Sequence, residues 1–325
     1  VLQLANTPAA QGKNTLERRK KMSDFRYDLK HNKTLLFMVF PSILYLFVLS
    51  YLPMVGIYYA FTNYNYQGGL FGSPFVGFAN FKFLFASGTA WKLTFNTVFY
   101  NVIFIFGGTA LRIAIAIMLS EIIGNVFRKV TQTIIFLPHF VSMVLVGVFA
   151  YNLMNYVTGL INNFITSLGG ERFDFYGTPW IWRLIIPAVE FWKSTGYGTI
   201  IYLAAILGIS EEIYEAAIID GVTFMQKIRY ITLPSLKPTF TILLLMSLGG
   251  IIRGQFDLFY QLIGNNGLLF GTTDIIDTYV YRVLRVSPNI GMGSAVGLYQ
   301  SVIGALMVLG SNYLIKKLEP ENALF

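Results

Sequence analysis

Two pairs of opposite charges sit inside stretches of the sequence that are otherwise apolar: Glu190 with Lys193, three residues apart, and Arg253 with Asp257, four apart. Both spacings place the partners on one face of a helix. An ionisable group at the centre of a bilayer costs about 2.5–3.5 kcal/mol on insertion scales, so such groups normally face protein or water. Two readings follow. Either each pair neutralises itself along its own helix, or the charges line a polar path in which Lys193 and Arg253 attract an acidic solute. Arg112 has no partner close in sequence, which leaves it to snorkel or to bridge to another span. Beside the charges stand Trp192, Tyr197, Tyr202, Gln255, Tyr260 and Gln261. Rings and amides of this kind bind sugars, and Tyr and Trp also anchor helices at the membrane–water boundary.

The elements that must hold these residues are membrane helices. Of 325 residues 55% are hydrophobic and only 12% charged, about half the ~25% usual for soluble domains. That is too little charge to cover a water-soluble surface, and mean hydropathy is +0.59. With no cysteine there is no disulfide or thiolate metal site, and His31 and His139 alone make a histidine metal cluster untenable. Six apolar stretches reach the length of roughly 20 residues that a bilayer requires: Leu35–Phe61, Thr94–Ser120, Thr131–Leu153, Leu184–Leu207, Thr239–Leu262 and Ser294–Ile315. Pro41, Pro53 and Pro187 interrupt them, which neighbouring helices make tolerable. The expectation is an all-α integral membrane protein with six spans over residues 35–317, a basic N-terminal segment over 1–34 and a short tail over 318–325.

Lysine and arginine are retained on the cytoplasmic side. With the N-terminus inside, fifteen of the 24 cations fall on that side, six on the other and three within spans. Both termini are therefore expected in the cytoplasm, with the N-terminal basic run from Lys13 to Lys33 facing anionic headgroups, not nucleic acid. Residues 17–33 could form a short interfacial helix.

Loops longer than about 12–15 residues tend to be functional. Three long external segments, Thr62–Leu93, Asn155–Arg183 and Gly264–Gly293, are rich in Gly, Asn and aromatic residues. The fourth long segment, Gly208–Pro238, is internal. Within it Glu211 and Glu212 suit the first turn of a helix capped by Ser210, and Gly221 suits its left-handed C-terminal stop. A second short helix over Thr223–Ile231, ended by Pro234 and Pro238, completes a helix–turn–helix hairpin between spans four and five.

That hairpin carries Glu215-Ala216-Ala217, three residues, Gly221, nine residues, Ile231, one residue, then Leu233-Pro234. With this complete EAA spacing the chain resembles the permease subunits of bacterial binding-protein-dependent ABC importers. The long basic N-terminus and aromatic external loops look like the polysaccharide and oligosaccharide branch, which includes alginate and pectin-fragment importers, with the first permease of an alginate importer foremost.

The resemblance implies that Glu215, Ala216, Ala217, Asp220 and Gly221 form a coupling element seated in a separate ATPase subunit, with Ile231, Leu233 and Pro234 fixing it to the membrane side. It implies as partners a second, different permease, two ATP-binding subunits that use ATP and Mg, and an extracytoplasmic solute-binding protein. Small Ala216 and Ala217 would allow close approach, and Glu215 offers a charge to a partner. Glu190, Trp192, Lys193, Tyr197, Arg253, Gln255, Asp257 and Tyr260 become candidates for the translocation path. The chain has no G-x-x-x-x-G-K-[ST] phosphate loop, no G-x-S-x-G and no H-E-x-x-H, so it is not expected to be an enzyme or to bind a cofactor itself. Two other readings compete: a proton-coupled transporter using Glu190 and Asp257, and a membrane scaffold whose hairpin recruits a cytoplasmic protein.

Overall fold

A computed structural model describes residues 32–318. The basic run before residue 32, with the interfacial helix expected there, and the tail from 319 lie outside the described residues. The described chain is helical, and its only strand-like pairing is an isolated bridge between Thr62 and Phe75.

Helix α1 runs Lys33–Phe61. Compact packing divides the chain between Tyr58 and Tyr59. In the first unit Phe37, Phe40, Ile43, Leu46 and Leu49 are all exposed, and the helix continues through Pro41 with a wider π-type turn at Phe47–Tyr51.

In the second unit, α2 (Ala79–Ala86) precedes α3 (Thr89–Ser120). Next come α4 (Asn125–Phe140) and α5 (Met143–Met154), bent by 91° at the break between them. One continuous third span was expected. The chain turns instead because Pro138 lies in the last turn of α4 and the Ser142 hydroxyl caps α5 by accepting from Leu145 N–H. Then follow α6 (Leu160–Ser167) and α7 (Trp182–Leu207), which passes through Pro187 unbroken.

The Gly208–Pro238 segment folds as α8 (Glu211–Ile219), a turn, and the start of α9 (Phe224–Gly249). Beyond it are α10 (Phe256–Ile263), α11 (Ile276–Arg285) and α12 (Ile290–Leu318). Two expectations for α9 are corrected. Pro234 and Pro238 do not end the helix: a π-type turn at Ile228–Thr232 precedes Pro234 and widens the ladder where its ring would meet the carbonyl four residues back. The fifth span does not reach Leu262, because α9 stops at Gly249-Gly250 and the chain runs irregularly to Gln255. The long segments expected outside are not bare loops either, since they contain α2, α6 and α11.

Among the described residues α1, α3, α9 and α12 are long and apolar enough to cross a membrane, and the α4–α5 pair makes a fifth candidate if its bent halves count as one span. Helix α7 has the length, 26 residues, but carries Glu190, Lys193, Ser194 and Thr195 in its middle. It packs along α3. One core gathers Tyr100, Phe104, Trp182, Ile186 and Phe259, and another gathers Ala116, Leu119, Tyr202, Leu203, Ile206 and Leu236. Contact there is close: a Cβ on Gly196 would lie 2.1 Å from the Ile135 carbonyl oxygen of α4, so only glycine fits.

Candidate functional site

Three groups of candidate residues emerge, and each is positioned by more than one helix. The first is the turn between α8 and α9. Gly221 has φ +69°, a left-handed conformation open to glycine at little cost. Its N–H donates to Ile218 O at 3.1 Å, and Val222 N–H reaches back to Ala217 O at 3.0 Å, the double closure that ends a helix on a left-handed residue. Ser210 makes no side-chain cap. The capping box lies instead on the other limb, where Gln226 N–H donates to Thr223 Oγ1 and Thr223 N–H to Gln226 Oε1.

Glu215, Ala216 and Asp220 are exposed, whereas Ala217 is buried against the chain itself. Of the two alanines, only Ala216 is presented outward. Ile218 and Ile219 at the tip are 73% and 86% exposed, an apolar end on a charged turn. Ile231 is half-buried, while Leu233 and Pro234 are exposed.

The hairpin is braced. Lys227 Nζ sits 2.7 Å from Glu121 Oε1 at the end of α3 and lies 5.7 Å from the centre of the Tyr214 ring. The Tyr214 hydroxyl in turn meets the Thr232 hydroxyl at 3.3 Å. Glu121 was not a sequence candidate; 106 residues separate it from Lys227.

The second group surrounds the middle of α7. Neither opposite-charge spacing gives an ion pair among the described residues. Glu190 is buried and faces the side chains of Ser194 and Gln255. Arg112 of α3 donates to Ser194 Oγ at 3.1 Å, so it bridges between helices. Its Nε is buried without a partner. Lys193 turns the other way and donates to the carbonyls of His139, at 3.0 Å, and Val141 at the α4–α5 bend. Tyr197 stacks on the His139 ring with centroids 4.6 Å apart. Trp192 points to a separate apolar groove with Phe149, Leu153 and Leu160. One turn of α7 therefore sends three neighbouring candidates to three places.

The third group is the break after α9. Asn101 of α3 donates to the carbonyls of Ile251 at 2.9 Å and Arg253 at 3.0 Å. Gln300 of α12 donates to Ile252 O at 3.0 Å and to Asp277 Oδ2 at 3.1 Å, and Asp277 also accepts from Gly254 N–H at 2.7 Å. Burial pushes the Asp277 carboxyl above the usual carboxylate range, while the Gly254 and Gln300 donors pull it back. Arg253, Asp277 and Gln300 line a cavity of about 670 Å³ with Ser301 and Gly304. Non-helical backbone at membrane depth is tolerated where protein satisfies it or where it lines a cavity, and both conditions hold here. Gln255 lies at the start of α10, Asp257 is exposed on its first turn, and Tyr260 packs beside Phe256 and Tyr281. Sequence reasoning missed Asn101, Asp277, Gln300 and Tyr281. Their polarity within or beside apolar stretches was the available signal.

Residues 108–320 match the model of the family described as binding-protein-dependent transport system inner membrane component. The chain is 34% identical over 294 residues to Protein LplB of Bacillus subtilis (strain 168), covering 90% of this chain and 92% of that one. It is 32% identical to the polygalacturonan/rhamnogalacturonan transport system permease protein YteP of the same organism, covering 98% of each. Among solved structures it is similar to a chain of a bacterial ABC transporter involved in the import of the acidic polysaccharide alginate, with TM-score 0.81, 31% identity and coverage of 91% and 99%. A second alginate ABC transporter structure, in complex with a periplasmic protein bound to alginate pentasaccharide, gives TM-score 0.80, 32% identity and coverage of 90% and 97%.

Proposed function

The chain belongs to the binding-protein-dependent inner-membrane transport components, and from that premise we propose that it is one of two permease subunits of an ATP-driven importer for an acidic oligosaccharide. The observation that carries the reading is the α8–α9 hairpin. Its spacing from Glu215 to Pro234, its left-handed Gly221 and its exposed Ile218 and Ile219 suit an element that inserts into another protein. Exposed apolar residues at the tip of a charged turn gain from burial in a partner's groove.

In this reading the groove belongs to an ATP-binding subunit that uses ATP and Mg. Two such subunits, a second and different permease, and an extracytoplasmic solute-binding protein complete the assembly. Six spans follow when α7 and the bent α4–α5 pair each count as one, with both termini cytoplasmic as the positive charges favour. An acidic cargo such as alginate is supported by the likeness to alginate transporter chains and by Arg253 in the cavity. Closing of the ATPase pair would move the hairpin, and α7 and α9 would carry that movement to the cavity.

Purified complex in vesicles tests this. Sugar uptake should require ATP, and crosslinks from Asp220 should capture the ATPase subunit. Uptake driven by a proton gradient without ATP would favour the secondary-transporter reading instead.

A further inference from the structure

Along α11, Asp277, Tyr281 and Arg285 recur at every fourth residue, so they share one stripe about 12 Å long. Its inner end is Asp277, which lines the cavity with Arg253. Its outer end is Arg285, exposed and interacting with the Tyr281 hydroxyl. Between them lies a three-ring cluster that joins α10 to α11. Tyr281 packs 4.8 Å from Tyr260 at 64° and 4.9 Å from Phe256, and Phe256 stacks on Tyr260 at 5.1 Å. The Tyr281 and Tyr260 hydroxyls meet at 3.5 Å.

This cluster is not the core of α10. That role falls to Leu258, Phe259, Leu262 and Ile263, all buried on its other face. Nor is Arg285 equivalent to Arg282, which is turned onto Asp274 and lies 3.9 Å from the centre of the Phe270 ring. Gly254 N–H and the Gln300 amide hold the Asp277 carboxylate in place at its Oδ2. What remains is an aromatic shelf with an exposed guanidinium at each end.

We infer that Phe256, Tyr260 and Tyr281 form a shelf on which a sugar ring of the cargo rests, with Arg253 and Arg285 receiving the carboxylates of an acidic oligosaccharide. Aromatic faces accept the apolar C–H faces of a pyranose, phenol hydroxyls bond its hydroxyl groups, and guanidinium pairs with carboxylate. The shelf rests on the importer reading above and adds to it the residues that select charge.

The test uses the complete complex with its binding protein in vesicles, supplied with a galacturonate trisaccharide or with neutral maltotriose. Arg285→Gln should lower galacturonate uptake at limiting concentration by about tenfold and leave maltotriose uptake, where the parent has any, unchanged. Arg285→Lys should recover part of the loss. Tyr281→Ala should lower galacturonate uptake by about tenfold, and Tyr281→Phe by less, while binding-protein-stimulated ATP hydrolysis persists in both. Parent rates in Arg285→Gln and Tyr281→Ala would overturn the shelf and leave the importer reading standing, as would an equal loss of stimulated ATP hydrolysis in every variant. A parent complex that moves no acidic sugar with ATP would overturn the acidic-importer reading, and the shelf with it.

Discussion

Lys227 Nζ, on the second limb of the hairpin, stands 2.7 Å from Glu121 Oε1 at the end of α3. The hairpin is thereby tied to the turn between α3 and α4 as well as to the two helices that flank it. Movement at Gly221 accordingly has a route to α3, whose Arg112 and Asn101 reach the other two candidate groups.

Both partners of that pair are partly exposed, at 23% and 38%, so the link should be modest in energy and screened by salt. A double-mutant cycle on Glu121→Gln and Lys227→Gln should give a coupling of about 1 kcal/mol or less in thermal unfolding of the purified complex, shrinking as salt is raised. Lys227→Glu should raise the ATP consumed per sugar, and the exchanged pair Glu121→Lys with Lys227→Glu should restore it in part. An unchanged ratio in Lys227→Glu would remove the tie from the transport route.

At Gly221 the φ of +69° penalises any other residue, although no atom stands within 4 Å of the position a Cβ would take. The penalty is therefore conformational, about 1–3 kcal/mol for a β-branched residue and less for Asn. Gly221→Val should hydrolyse ATP without importing sugar, while Gly221→Asn keeps most of both activities. Normal uptake by Gly221→Val would count against the turn as the coupling element.

Gly196 presents the opposite case, because its backbone angle is ordinary and the obstacle is space. A Cβ there would meet Ile135 O at 2.1 Å. Gly196→Ala should destabilise the complex by about 1–3 kcal/mol by forcing α7 from α4. Gly297→Ala, with nothing within 4 Å, serves as the control in the same melting experiment. Equal melting points would show that α4 and α7 yield more easily than their backbone contact indicates.

Glu190 separates the energy sources. Glu190→Gln keeps hydrogen-bonding capacity toward Gln255 and Ser194 and removes the titratable proton. Import driven by ATP should stay within about threefold of the parent, whereas a proton carrier would stop. Uptake with and without a protonophore reads the difference.

Much of this arrangement was legible in the sequence because it is local. Apolar runs mark the long helices α1, α3, α9 and α12, and Gly221 marks the turn that ends α8. The Thr223–Gln226 box is legible too, as T-x-x-Q, whereas Ser210 has the residue type of a cap without making one. The break after Gly249 was hidden, because Ile251 and Ile252 continue the apolar run across it and the groups that hold it open, Asn101 and Gln300, lie 150 and 48 residues away. The charge pairs misled for the same reason. Spacing along a helix says which face a side chain occupies, but the carbonyls of His139 and Val141 that take Lys193, and the Arg112 that reaches Ser194, come from other parts of the fold.

The three carbonyls of the irregular stretch beyond Gly249 are claimed by side chains of two helices, Asn101 of α3 and Gln300 of α12. A piston-like slide of α9 along its axis would strip all three at once. A change of shape that keeps all three bonds moves this segment together with α3 and α12 and places the compliance in the elbows at either end.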